Sequence, residues 1–168
     1  PYTTLFRSGK EPSLEQLMSQ HTEVELRLPA LLPDDYIPDV NMRLSMYKRI
    51  ASAADEQELR ELKVELIDRF GLLPEPTKTL MELAAFRQRA TALGIRRVEM
   101  SERGGYLDFT QETKVNPTYL VKLLSSQPRI YKMDGPTRLR FQVPNQDRAM
   151  RLKLVDGLLA DLARHATP

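Results

Sequence analysis

The chain has 168 residues, 41% of them hydrophobic and 29% charged, the balance of a globular protein rather than a disordered one. It has no Cys, which excludes disulfides, thiolate nucleophiles and Cys-ligated metals. It has no run of about 18 apolar residues either, so no membrane-spanning helix is expected. No secretory signal is visible, and a cytoplasmic setting is expected. The net charge of +2 hides an asymmetry. Residues 1–84 hold 10 Lys and Arg against 15 Asp and Glu, a balance of −5, whereas residues 85–168 hold 15 against 8, a balance of +7. Acidic and basic halves suit different partners.

The first eight residues, PYTTLFRS, resemble the in-frame translation of a DNA-sequencing adapter. They are set aside as non-native, and the chain from Gly9 is expected to be a fragment of a longer protein. Residues 9–21 are polar and read as a linker or a short helix. TEVELRLP (22–29) places Val24, Leu26 and Leu28 on one side and reads as a strand. ALLPDDYIPD (30–39) reads as an extended loop. VNMRLSMYKRIASA (40–53) predicts a helix capped by Asp39, with Val40, Leu44, Tyr47 and Ile50 on its apolar face. The next helix starts at Asp55, where Asp55 and Glu58 resemble a capping box, and ends at Gly71. Leu59, Leu62, Leu66, Ile67 and Phe70 form its apolar face. A third helix runs from Pro76 to about Leu93 and is closed by Gly94.

The second half changes character. IRRVEMSE (95–102), Gly104–Gly105 and YLDFT (106–110) read as a β-hairpin. NPTYLVKLLSSQ (116–127) reads as a helix capped by Asn116. RIYKM (129–133) and TRLRFQV (137–143) form a second hairpin around the DGP turn. Residues 145–164 predict a last helix, with Met150, Leu154, Leu158 and Leu162 spaced by fours. The fold class is α+β, a helical layer on a small antiparallel sheet built from a strand and two hairpins. Residues 22–164 form one domain and 165–168 a tail.

Signals of catalysis are poor. His21 and His165 are expected to be solvated, and no His, Asp or Glu cluster has metal-ligand spacing. SGKE (8–11) lacks the upstream glycine of a P-loop and the Ser or Thr after Lys. Asp34–Asp35 sits in a proline-bounded loop. No nucleophile is paired with a base, and no catalytic, metal or cofactor-binding residue is assigned. A nucleic-acid module is one alternative. Arg96, Arg97, Arg103, Arg138 and Arg140 lie on the predicted hairpins with Tyr106, Phe109, Tyr131 and Phe141. Alternation in TRLRFQV favours a plainer outcome, with Leu139, Phe141 and Val143 facing a core and Arg138 and Arg140 facing water.

The run LPALLPDDYIPDVNMRLSMYKRIASA, continued by ELKVELIDRFGLLPEP, closely resembles the C-terminal domain of the bacterial transcription-repair coupling factor family (Mfd). LGIRRVEM, VNPTYL and DGPTRLRF follow in the order that family shows, so the resemblance covers about residues 9–164. It implies a regulatory role. In that family a DNA-translocating ATPase removes stalled RNA polymerase and recruits UvrA. The C-terminal domain acts as a lid that packs on a UvrB-like module, hides the UvrA-binding surface and restrains the motor. The motor is absent from this chain, so no cofactor is expected in this domain, whereas the parent is expected to use ATP and Mg. The implied partners are the UvrB-like module, indirectly UvrA and RNA polymerase, and DNA through the absent motor, with no membrane. On this reading Glu58, Glu61, Glu65, Asp68 and Arg69, with Val64 beside them, are expected to face the UvrB-like module. Arg43, Lys48 and Arg49 form a second candidate patch. Exposed ion pairs contribute about 0–1 kcal/mol each, so several give a lid that is held yet reversible.

Overall fold

The computed structural model describes residues 22–144 and 146–168. The adapter-like segment, the linker, His21 and the expected helix start at Asn145 therefore lie outside the described residues. In chain order the elements are β1 (Glu23–Glu25), α1 (Val40–Ala51), α2 (Glu56–Phe70), α3 (Glu75–Ala92), β2 (Ile95–Ser101), β3 (Gly104–Phe109), α4 (Pro117–Ser126), β4 (Tyr131–Met133), β5 (Arg138–Gln142) and α5 (Arg148–Arg164). The fold is α+β, as expected.

Local chemistry accounts for the helix ends. Asp39 accepts from the Met42 amide at 3.1 Å, Asp55 from Glu58 at 2.9 Å, Asn116 from Thr118 at 2.8 Å and Asp147 from Met150 at 2.9 Å. Each thereby satisfies an amide that the first helical turn leaves free. α2 stops at Gly71, whose φ of +93° a residue with a Cβ rarely adopts.

The sheet has the order β1-β2-β3-β5-β4. The two expected hairpins are present, but the sheet is mixed rather than antiparallel, because β1 pairs with β2 in parallel through Val24 and Val98. Parallel pairing requires a crossover, and α1, α2 and α3 supply it. Across the sheet the register aligns Val24, Val98, Leu107, Leu139 and Met133 on one face. That face packs with Phe86 and Ala90 of α3, Leu123 of α4, and Leu152, Val155, Leu159 and Leu162 of α5. The opposite face carries Arg97, Glu99, Tyr106, Arg138 and Arg140.

A second cluster lies between the loop after β1 and the first three helices. It contains Leu32, Ile37, Met46, Ile50, Leu59, Leu62, Leu66, Met81 and Ala84. α3 contributes to both clusters and joins a helical lobe to a sheet lobe.

Three apolar faces differ in part from expectation. In α1 the buried residues are Met46 and Ile50, while Val40 and Leu44 are 57% and 53% exposed. The competing stripe Met42, Met46, Ile50 turns inward instead. In α5 the spacing by fours fails at its first residue. Each four-residue step advances about 40° beyond a full turn, so Met150 is exposed whereas Leu158 and Leu162 are buried. In α2, Leu59, Leu62 and Leu66 are buried, but Ile67 lies at the edge of the face and is 38% exposed.

Candidate functional site

α2 presents its charged side to solvent along one lobe. At about 100° per residue, Gln57, Glu61, Val64 and Asp68 point directly away from the buried leucines. Val64 is 58% exposed. The described residues thus leave most of this apolar side chain, which lies between two carboxylates, uncovered.

Glu65 lies toward α1 and has a different setting. Its carboxylate accepts from both terminal nitrogens of Arg49, at 2.5 and 2.8 Å, and from Arg69 at 3.0 Å. The hydrogen bonds from Arg49 dominate, with Arg69 adding to them against desolvation, and they lower the Glu65 pKa from the ordinary 4.5 to about 2. Arg69 also lies 5.1 Å over the Phe70 ring and reaches the Met42 sulfur at 3.4 Å. Arg49, Glu65 and Arg69 therefore form one network that stitches α1 to α2. The two patches expected from the sequence meet at this carboxylate.

The remaining expected residues divide by role. Glu58 caps the helix, its carboxylate accepting from the Ala54 amide at 2.5 Å. Arg43 donates to the Ile37 and Pro38 carbonyls at 2.6 and 3.2 Å and ties the preceding loop to α1. Glu61 accepts only from Gln57, at 3.3 Å, one turn away. Asp68 and Lys48 are exposed and have no ion-pair partner among the described residues. The outward set available to a partner is thus Glu61, Val64, Asp68 and Lys48, with Glu65 held half-exposed between its two arginines. Val40 and Leu44, assigned to the core from their spacing, add exposed apolar surface that sequence reasoning missed. The signal for them was the rival methionine stripe on the same helix.

The hairpin arginines are mostly engaged within the chain. Arg138 donates twice to buried Asp108, at 2.7 and 3.0 Å, and Arg96 approaches the same carboxylate at 3.9 Å. Arg97 bridges Glu23 and Glu99, and Arg140 pairs with Asp134 at 2.6 Å. Phe109 and Phe141 are buried, as strand alternation indicated. The guanidinium of Arg138 lies 3.9 Å over the Tyr106 ring and covers it. His165 is exposed and stacks on Tyr119 at 4.2 Å. Among the described residues, no group of three His, Asp or Glu could hold a metal ion, and no helix is long and apolar enough to cross a membrane.

Comparison with known proteins gives a consistent result. The TRCF domain family model matches residues 26–120. The transcription-repair-coupling factor of Escherichia coli (strain K12) is 56% identical over 160 residues, covering 95% of this chain and 14% of the relative. The corresponding factor of Haemophilus influenzae is 47% identical over 157 residues, covering 94% and 14%. The crystal structure of the C-terminal domain of a transcription-repair coupling factor superposes with a TM-score of 0.68 at 26% identity, covering 86% of this chain and 94% of that one. The chain thus spans about 14% of the length of these curated relatives.

Proposed function

This chain belongs to the transcription-repair-coupling factor family, where it corresponds to a C-terminal domain, and from that premise we propose that it is a non-catalytic, autoinhibitory interaction domain. In the parent protein it docks on the UvrB-like module, covers the surface that recruits UvrA and restrains a motor that uses ATP and Mg. The setting is the bacterial cytoplasm, with UvrA, RNA polymerase and DNA engaged through the rest of the parent.

The observation that carries this reading is the outward face of α2. Glu61, Val64 and Asp68 form an acidic surface with an apolar centre, and the Glu65 carboxylate beside it is pre-oriented by Arg49 and Arg69. A charged rim around a small apolar contact suits an interface that must also open, since contacts between domains resemble transient interfaces. Each exposed pair with an arginine on the module contributes about 0–1 kcal/mol. Three such pairs at the upper end of that range reach the about 3 kcal/mol that holds a closed state near 99%, and that state is reversible by a competing ligand.

Calorimetric titration of this chain into the isolated UvrB-like module tests the reading. Saturable binding, weakened about tenfold or more by Glu61→Ala with Asp68→Ala and competed by UvrA, is the expected result. Binding that ignores both the double substitution and UvrA would remove α2 from the interface. Glu65→Ala is a poorer first choice, because it also disconnects α1 from α2.

A further inference from the structure

The outer end of the sheet carries a feature that docking through α2 leaves unused. Where the β2–β3 turn meets the start of β4, the surface opens into a groove of about 400 Å³. Its wall holds five cations, Arg27, Arg103, Arg129, Lys132 and Arg140, against one carboxylate, Glu99. That carboxylate is already engaged. It accepts from the Tyr106 hydroxyl at 2.7 Å, from Arg97 at 3.1 Å and from Arg27 at 3.3 Å. Arg103, Arg129 and Lys132 are exposed and have no ion-pair partner among the described residues.

The backbone is shaped to hold this arrangement. Arg27 has φ +53°, a region that residues with a Cβ seldom occupy. It is kept there by its backbone N–H, which donates to the Glu25 carboxylate at 2.6 Å, and by Arg151, which donates to the Leu26 and Arg27 carbonyls. Gly104, with φ +134°, lets the β2–β3 turn lie flat against β5, where any Cβ would strike the Phe141 carbonyl. The floor of the groove is therefore low and its rim is cationic.

We infer that this groove is an anion-binding surface for the phosphodiester backbone of a nucleic acid, read without regard to sequence. Two observations select that partner. Protein-binding surfaces are depleted of charge at their centres and anchored by apolar or aromatic side chains, whereas nucleic-acid interfaces are far more positive. Here the exposed side chains are mainly cationic, and the apolar lining residues Met100, Ile130 and Phe141 are buried or half-buried. Among the described residues the one ring on the outer face near the groove, Tyr106, is covered by Arg138 at 3.9 Å, so no base stacks on it and phosphate contacts alone remain. The groove lies on the sheet lobe and does not depend on the docking role of α2.

The test is fluorescence anisotropy of this chain with a labelled DNA duplex of about 20 base pairs over a salt series. Three neutralised phosphates give a slope of log K on log salt near −2.7, or an affinity loss of about 40-fold between 50 and 200 mM salt. Reversing Arg103, Arg129 and Lys132 to Glu should abolish binding, and the corresponding Gln triple should weaken it with a shallower slope. Thermal melting checks that each variant is folded. A control reverses Arg60, Lys63 and Lys78 on the helical lobe, which changes the net charge equally. If the control loses as much affinity as the groove triple, or if the unmodified chain does not bind at 25 mM salt, the inference is overturned. A polyglutamate peptide that binds more tightly than the duplex also overturns it, in favour of an acidic protein partner.

Discussion

The helical lobe and the sheet lobe solve the same problem, placing many charges on a small domain, in opposite ways. On the sheet, charges sit in cross-strand rows: Asp108 is buried and bonded twice by Arg138, and Arg97 bridges Glu23 and Glu99. On the helices, most charges point away from the core, and one carboxylate, Glu65, links two elements. A strand brings its neighbours within about 5 Å at every second residue, so charges pair as a consequence of register. Helices packed through apolar faces leave their outer sides free, so the helical lobe keeps its outward charges exposed.

Three sets of substitutions in the folded chain sharpen that comparison, beginning with the cores. Leu66 in the helical lobe and Leu139 in the sheet lobe are both fully buried. Truncating either to Ala should cost about 2–5 kcal/mol. Because α3 places Met81 and Ala84 in one cluster and Phe86 and Ala90 in the other, either loss should move a single unfolding transition. Urea melts followed by circular dichroism and by tyrosine fluorescence should coincide. Two separated transitions would show that the lobes fold independently and that α3 is no bridge.

The same chemical change should then have unequal effects in the two lobes. Asp108→Asn leaves Arg138 facing an amide in a site where the carboxylate is only 6% exposed, and should cost about 2–3 kcal/mol. Glu65→Gln removes a carboxylate that is 32% exposed, where solvent screening holds the contribution to about 1 kcal/mol. The pH dependence identifies this second term. With a folded pKa near 2 against the ordinary 4.5, the stabilisation by Glu65 is fully present above about pH 4.5. It fades as the pH falls from there toward 2. Glu65→Gln should therefore lower stability at neutral pH and flatten the acid limb between those values. An acid limb with unchanged slope would place the linkage elsewhere.

Much of this arrangement is legible in the sequence, and the illegible part has a common cause. Helix ends were readable because Asp39, Asp55, Asn116 and Gly71 act on their immediate neighbours. Both hairpins were readable from alternation and turn residues. The parallel pairing of β1 was not, since three residues meet a strand about seventy positions away. The face of α1 was ambiguous because two apolar stripes compete on one helix, and burial of Met46 rather than Leu44 is decided by what α2 and α3 present to it. The acidic stripe itself was visible, but not that Arg49 would seize Glu65. That contact depends on the stagger of two packed helices, which no local pattern encodes.

The smallest stability effect gives the cleanest separation of structure from docking. Among the described residues Glu61 and Asp68 make no side-chain bond outside their own helix, and within it only the weak approach of Gln57 to Glu61, and surface changes of this kind stay within about 0.5 kcal/mol. The pair Glu61→Ala with Asp68→Ala should therefore leave the urea midpoint almost unmoved. Relief of i,i+4 and nearby like-charge repulsion along α2 offsets part of any loss. A midpoint shift well above that size would mean that these carboxylates support the helix, and weaker binding to the UvrB-like module would then have a structural cause. With the midpoint unchanged, weaker binding is a property of the exposed face alone. The sheet lobe offers no such substitution among Arg97, Arg138 and Asp108, because each of those charges is also holding a strand in place.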